Sequence, residues 1–131
     1  MAYVPTELKY TKEHEWVLPT GDGLVRIGIT EYAQKQLGDI VFVELPAENC
    51  AITAGEPFGT IESVKSVSEV YAPVSGQVTA LNEELNDSPE NVNLDPYGDG
   101  WLIELKITDK SELSGLLSSK GYEDYIREGD D

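Results

Sequence analysis

The sequence predicts a mainly β protein with one short internal helix and further helices near its C-terminal end, and three patterns carry that prediction. Val25, Ile27 and Ile29 alternate with Arg26 and Gly28, the two-residue period of a half-buried strand. Trp101, Ile103, Leu105 and Ile107 alternate with Glu104 and Lys106 in the same way. Between them, small and β-branched residues on both sides of Lys65 read as two short strands meeting at a tight turn. At 131 residues the chain fits one domain, residues 1–131, with a β core over about 8–108 and helices over about 109–128.

The elements follow in order. After the strand at Val25–Ile29, the segment Tyr32–Leu37 favours a short helix, with Thr30 placed to cap its start and Gly38 to end it. Ile40–Leu45 reads as a richer, more buried strand ended by Pro46. Beyond the Trp101–Ile107 strand, Leu113, Leu116 and Leu117 recur at helical spacing and Gly121 is placed to terminate that segment. Tyr122, Tyr125 and Ile126 suggest a second short helix before an acidic, frayed tail at Glu128–Asp131. Trp16 and Trp101 are expected in the core. A faint internal repeat pairs Gly38-Asp39-Ile40-Val41 with Gly76-Gln77-Val78-Thr79, and Phe58–Glu62 with Gly100–Glu104, suggesting two similar β units with Lys65 between them.

Composition excludes several classes of function. A net charge of −16, from 25 acidic and 9 basic residues, argues against nucleic acid, whose phosphates would repel it. It suits solubility, and in a functional reading it suits a basic docking face on at least one partner. Cys50 is the single cysteine and cannot form an internal disulfide, as expected of a reducing compartment. His14 is the single histidine, so a metal site of the usual histidine and cysteine type is not expected. No apolar run reaches the length of a membrane span. The start, Met1–Glu7, lacks the pattern of a secretory or organelle leader, which points to a bacterial cytoplasmic protein or to a trimmed mature form, for instance of the mitochondrial matrix.

Lys65 carries the functional reading. Most lysines on hairpin turns are solvated charges that keep strand edges soluble. This one stands alone among small residues, with Glu62 and Glu69 flanking it, Gly55-Glu56-Pro57-Phe58-Gly59 before it and Pro73-Val74-Ser75-Gly76 after it. With His14-Glu15-Trp16-Val17, Gly28–Gln34, Leu37–Pro46 and Asp95–Trp101 in the same order, the chain from about Leu8 to Tyr125 resembles the H proteins of the glycine cleavage system.

That resemblance implies a barrel-sandwich hybrid of two antiparallel sheets, with lipoic acid attached covalently to Lys65 on a protruding hairpin. It implies no catalysis by the chain itself. The lipoyl arm would accept an aminomethyl group from glycine decarboxylase (P protein), present it to the tetrahydrofolate-dependent aminomethyltransferase (T protein), and be reoxidised by dihydrolipoyl dehydrogenase (L protein). By the same resemblance Glu62, Glu69 and Gly76 match positions through which a lipoate-attaching enzyme recognises the hairpin. Glu15 and Glu69, with Glu13 third, are the carboxylates expected to hold the protonated amine of a loaded arm in a cleft. Two positions depart from the family's pattern: Asn49 stands where glycine is usual, in a turn that needs a left-handed backbone, and Gln36 stands where some members have histidine near the cleft.

Rival readings are a relay that donates lipoyl groups to other enzymes, a biotinyl carrier, and an unmodified scaffold. Val64 and Ser66 flank Lys65 where biotin carriers normally have methionines. The lipoyl domains of 2-oxo-acid dehydrogenases carry an acidic residue before the lysine and belong to longer chains with linkers. A monomer is expected, since a shuttle gains from a free hairpin.

Overall fold

Nine strands, all paired antiparallel, form the frame of the computed structural model, which describes residues 3–129. The end of the expected acidic tail, Asp130 and Asp131, lies outside the described residues. The strands are β1 (Lys9–Tyr10), β2 (Glu15–Gly21), β3 (Leu24–Ile29), β4 (Ile40–Glu44), β5 (Ala51–Ile52), β6 (Pro57–Ser63), β7 (Val67–Tyr71), β8 (Gly76–Leu81) and β9 (Ile103–Ile107). Six of them build one sheet in the order β1-β2-β3-β9-β8-β5, and β4-β6-β7 build the second. The sheets stay separate and do not close into a barrel.

Alternation places one face of each sheet in a shared core. Val17, Ile27, Val78 and Leu105 from the larger sheet meet Val43 and Ile61 from the smaller one, all of them buried. Burial of a side chain such as Ile61 is worth roughly 1.5–3 kcal/mol. The internal repeat maps onto this arrangement: β4 pairs with β6 in one sheet and β8 with β9 in the other.

Ile40–Leu45 departs from the expected buried strand. Only Ile40 and Val43 are buried, while Val41 and Phe42 are 47% and 51% exposed. The register shifts between Ile40 and Phe42, and this bulge turns two successive apolar residues outward. Phe42 then lies opposite Glu62, which lies opposite Val67. The outer face of the small sheet therefore carries an apolar pair around a carboxylate.

Helix α1 (Glu31–Leu37) forms where expected. Thr30 Oγ1 accepts from the Ala33 amide at 3.1 Å, and Gly38, at φ +86°, donates its N–H to the Gln34 carbonyl. A one-turn helix α2 (Asn91–Leu94) packs against α1.

The C-terminal segment needs two corrections. Lys110–Gly115 is a 3-10 helix, and Leu116 leaves it in extended conformation because Leu117 pairs with Tyr10 through two backbone hydrogen bonds of 2.7 and 2.9 Å. Gly121 does not end a helix: it lies inside α3 (Ser119–Gly129), whose first turn is capped by Ser118 Oγ accepting from the Gly121 amide.

Helix α3 closes a second, aromatic cluster in which Tyr10 and Tyr122 stack at 4.8 Å beside fully buried Trp16. The Trp16 ring lies on Gly28, where a Cβ would come within 2.6 Å of it. Trp101 is only half-buried, with the Arg26 guanidinium stacked 4.7 Å above its ring, so it is no full core residue. Among the described residues no helix is long and apolar enough to cross a membrane.

Candidate attachment site

The β6-β7 hairpin turns through Val64, Lys65 and Ser66, all exposed. One serine organises the turn. Ser63 Oγ accepts from the Lys65 and Ser66 amides at 3.2 and 3.1 Å, and the Ser63 amide donates to the Ser66 carbonyl at 2.8 Å. A fourth bond ties the turn to the rest of the molecule: the Val64 amide donates to the Asp39 carbonyl at 3.0 Å. Beside it, Gly38 faces the lysine stem, and a Cβ there would sit 3.4 Å from Lys65 Cε. The Lys65 ammonium makes no ion pair among the described residues. The backbone is held and the amine is free, which suits a lysine that is to be acylated.

Three and four residues past Lys65, Ser68 and Glu69 reach a cleft of about 260 Å³ between β7, α1 and the turn before β2. At ~3.4 Å per residue they lie on the order of 10 Å along the chain from the lysine. Glu13, His14 and Glu15 form one wall, and Tyr32, Ala33, Gln36 and Leu37 of α1 another. Gln36, where a histidine was the alternative, therefore does line the cleft.

Glu15 is the unusual group. It is 2% exposed, yet its carboxylate accepts from Thr11 Oγ1 at 2.6 Å and from the Tyr71 amide at 3.2 Å. Burial pushes its pKa up to about 7 against the pull of those two bonds, and neighbouring Glu13 adds to the rise. A carboxyl balanced near neutrality takes on full charge when a cation arrives beside it. Glu69, on edge strand β7, is exposed at the rim, and Glu13 is exposed on the opposite lip.

The cleft wall is anchored from behind. His14 has φ +72°, a left-handed backbone that costs a non-glycine residue about 1 kcal/mol. Its carbonyl accepts from the Thr30 amide, and its Nδ1 lies 2.8 Å from the Tyr122 hydroxyl. That hydroxyl also lies 2.7 Å from Thr30 Oγ1. Burial lowers the pKa of His14, and the direction of its Nδ1 bond with the Tyr122 hydroxyl follows the tautomer of the ring.

Comparison with known proteins gives the family. The family model described as glycine cleavage H-protein matches residues 8–129. The chain belongs to the glycine cleavage H-protein family. Curated relatives named glycine cleavage system H protein include one from Geobacillus kaustophilus, 59% identical over 125 residues that cover 95% of this chain and 98% of that one. Another, from Chromohalobacter salexigens, is 50% identical over the full length of both chains. A crystal structure of a glycine cleavage system H protein from Mycobacterium marinum superposes with a TM-score of 0.84 at 37% identity, covering 98% of this chain and 100% of that one. As a member of this family the chain is a carrier component of the glycine cleavage system and not a catalyst.

The H-protein geometry separates the site residues anticipated from sequence. Glu13, Glu15 and Glu69 meet at one cleft. Glu62 stands apart from it, exposed on the outer face between Phe42 and Val67. Gly76 is in the other sheet, buried, and a Cβ there would run into the Lys106 carbonyl oxygen. Packing of β8 on β9 accounts for that glycine. Asn49 has φ +69°, the left-handed conformation expected of a residue standing in for glycine. Sequence reasoning missed Ser63, although a serine two residues before a turn residue is a recognisable turn former. It also missed Gly38 as a neighbour of Lys65, a contact that only the tertiary fold creates.

Proposed function

We propose that this H-protein family member carries a lipoyl group in amide linkage to Lys65 Nζ and shuttles it among the enzymes of the glycine cleavage system. Glycine decarboxylase would supply an aminomethyl group, the tetrahydrofolate-dependent aminomethyltransferase would take it, and dihydrolipoyl dehydrogenase would reoxidise the carrier. The observation that carries this reading is the exposed Lys65 amine, without an ion pair among the described residues, on a turn fixed by hydrogen bonds from Ser63 and Asp39. When bound, the lipoyl group supplies a cyclic disulfide that interconverts with a dithiol.

The residues present fit such a group. Lys65 gives a flexible stem on a rigid base, so each transfer between docked partners becomes a local event at high effective concentration. The cleft beside β7 offers room and carboxylates. Glu15, buried with its pKa near 7, and Glu69 and Glu13 at the lips would hold a protonated amine by charge-assisted hydrogen bonds and keep water from it. Glu62 would present a carboxylate between Phe42 and Val67 to the lipoate-attaching enzyme.

ATP converts the lipoate carboxyl to an acyl adenylate with release of pyrophosphate. Neutral Lys65 Nζ then attacks the carbonyl carbon, AMP leaves, an amide forms and one proton is released.

The test is intact mass and peptide mapping after incubation with a lipoate ligase, ATP and lipoate, comparing wild type with Lys65→Arg. One lipoyl addition on the Lys65 peptide and none on the variant is expected, with both proteins folded. No addition to wild type, under conditions that modify a known acceptor, would favour a scaffold or make biotin the next group to try.

A further inference from the structure

One side-chain amide holds the strap that backs the hairpin. Asn93, in α2, donates through Nδ2 to the Gly38 carbonyl at 2.9 Å and to Gln34 Oε1 at 2.8 Å. Its Oδ1 accepts from the Ile40 amide at 2.9 Å. The backbone partners fix which atom is which: a carbonyl at Gly38 requires a donor and an N–H at Ile40 requires an acceptor. A primary amide offers both on one planar group. The two peptide groups flanking Asp39 are thus tied to a single residue, while the Asp39 carbonyl accepts instead from Val64, the residue before Lys65. The lysine stem rests on Gly38, the other end of the same strap.

These bonds form one short path. Asn93 fixes Gly38 and Ile40, they fix the direction of the Asp39 carbonyl, and that carbonyl fixes the Ser63–Val64 peptide at the entry to the Lys65 turn. The α2 backbone that carries Asn93 is itself anchored by buried Val92. The side chain of Gln34 in α1 joins the same network, accepting from the same amide.

We propose that Asn93 is a positioning residue for modification of Lys65: through the Gly38–Ile40 strap it holds the hairpin tip in the geometry that a lipoate-attaching enzyme binds. This rests on the reading of Lys65 as the attachment site. If the tip wanders when Asn93 is lost, only a fraction of molecules is competent to bind at any moment. Apparent affinity then falls by that fraction while the bound complex reacts as before.

The experiment measures lipoylation kinetics, with a lipoate ligase, ATP and lipoate, on wild type, Asn93→Ala, Asn93→Asp and Val25→Ala, alongside amide hydrogen exchange at Val64. Asp keeps the acceptor for Ile40 but sets a carboxylate against the Gly38 carbonyl. Val25 is a core residue at the end of β3 remote from α1, and its truncation controls for loss of stability alone. Expected are a KM raised about tenfold with kcat within about twofold for both Asn93 variants, faster exchange at Val64, and unchanged kinetics for Val25→Ala. Folded Asn93 variants that keep the wild-type KM would overturn the proposal. So would an equal rise of KM in Val25→Ala, or failure of both Asn93 variants to fold, since either makes the residue one of general stability. Absence of lipoylation on wild type is a separate result: it would remove the reading of Lys65 and this proposal with it.

Discussion

Glu15 couples the cleft to pH with a definite sign. Its folded pKa, pushed up to about 7, lies above the 4.5 of an unperturbed glutamate, so the folded state binds the proton more tightly than the unfolded chain. The stability it contributes is complete below about pH 4.5 and is lost as pH rises through about 7, an amount bounded at roughly 3 kcal/mol. His14 acts oppositely: its lowered pKa favours the folded state above 6.5 and that contribution is lost as pH falls. Glu15→Gln removes the first term and leaves the second. Its amide can still bond Tyr71 N–H and Thr11, so any fixed cost is the same at every pH. Thermal melts at pH 5 and pH 8 should therefore show a smaller decline toward high pH in the variant than in wild type. Equal declines would mean that Glu15 titrates as an ordinary carboxylate. At this scale the sequence is legible where a residue's local setting is the message, as at Lys65 and Thr30. It is opaque where burial or a distant partner is the message, as at Glu15 and Asn93, because neither leaves a trace in neighbouring residues.

Elements were legible in proportion to how local their determinants are. Helix α1 has both ends written within its own span, a threonine that caps Ala33 and a glycine that turns the chain at φ +86°. The strand at Ile40 was read correctly in position but not in burial, because a bulge depends on the register with β6 and not on β4 alone. The C-terminal leucines misled for the same reason: pairing of Leu117 with Tyr10, over a hundred residues away, outweighs a local helical period. Helix α3 is held to the cleft wall through the Tyr122 hydroxyl, shared between Thr30 and His14. Tyr122→Phe keeps the ring stacked on Tyr10 and deletes only that node. It should cost about 1–2 kcal/mol in chemical denaturation, with faster amide exchange at Thr30 and no loss of the secondary structure of α3. An unchanged midpoint would mean that stacking alone docks the helix.

At the scale of the whole molecule, four of the 25 acidic residues stand around the attachment hairpin. Asp39, Glu44, Glu62 and Glu69 are all exposed on or beside the small sheet, around Lys65, the one cation among the described residues of its strands and hairpin turn. Acylation neutralises that cation and makes a chain of net charge −16 one unit more negative. The apolar residues at the same end, Phe42, Val64 and Val67, are 51%, 68% and 65% exposed. Such a surface suits partners whose own docking faces are basic at the rim and apolar at the centre, with charge setting the encounter rate and the apolar contacts setting the lifetime. Charge that steers acts across solvent and is screened. Raising salt from ~10 mM to ~150 mM shortens the screening length from about 30 Å to about 8 Å. The association rate constant with a lipoate-attaching enzyme, measured by stopped flow, should therefore fall about tenfold over that range, while the dissociation rate constant changes by less than about twofold. Replacing Glu44 and Glu62 together with Gln should flatten the salt dependence and lower the low-salt rate without altering Lys65. A rate constant indifferent to salt in the unaltered protein would leave the acidic surface with solubility as its role, and docking would then rest on the apolar contacts alone.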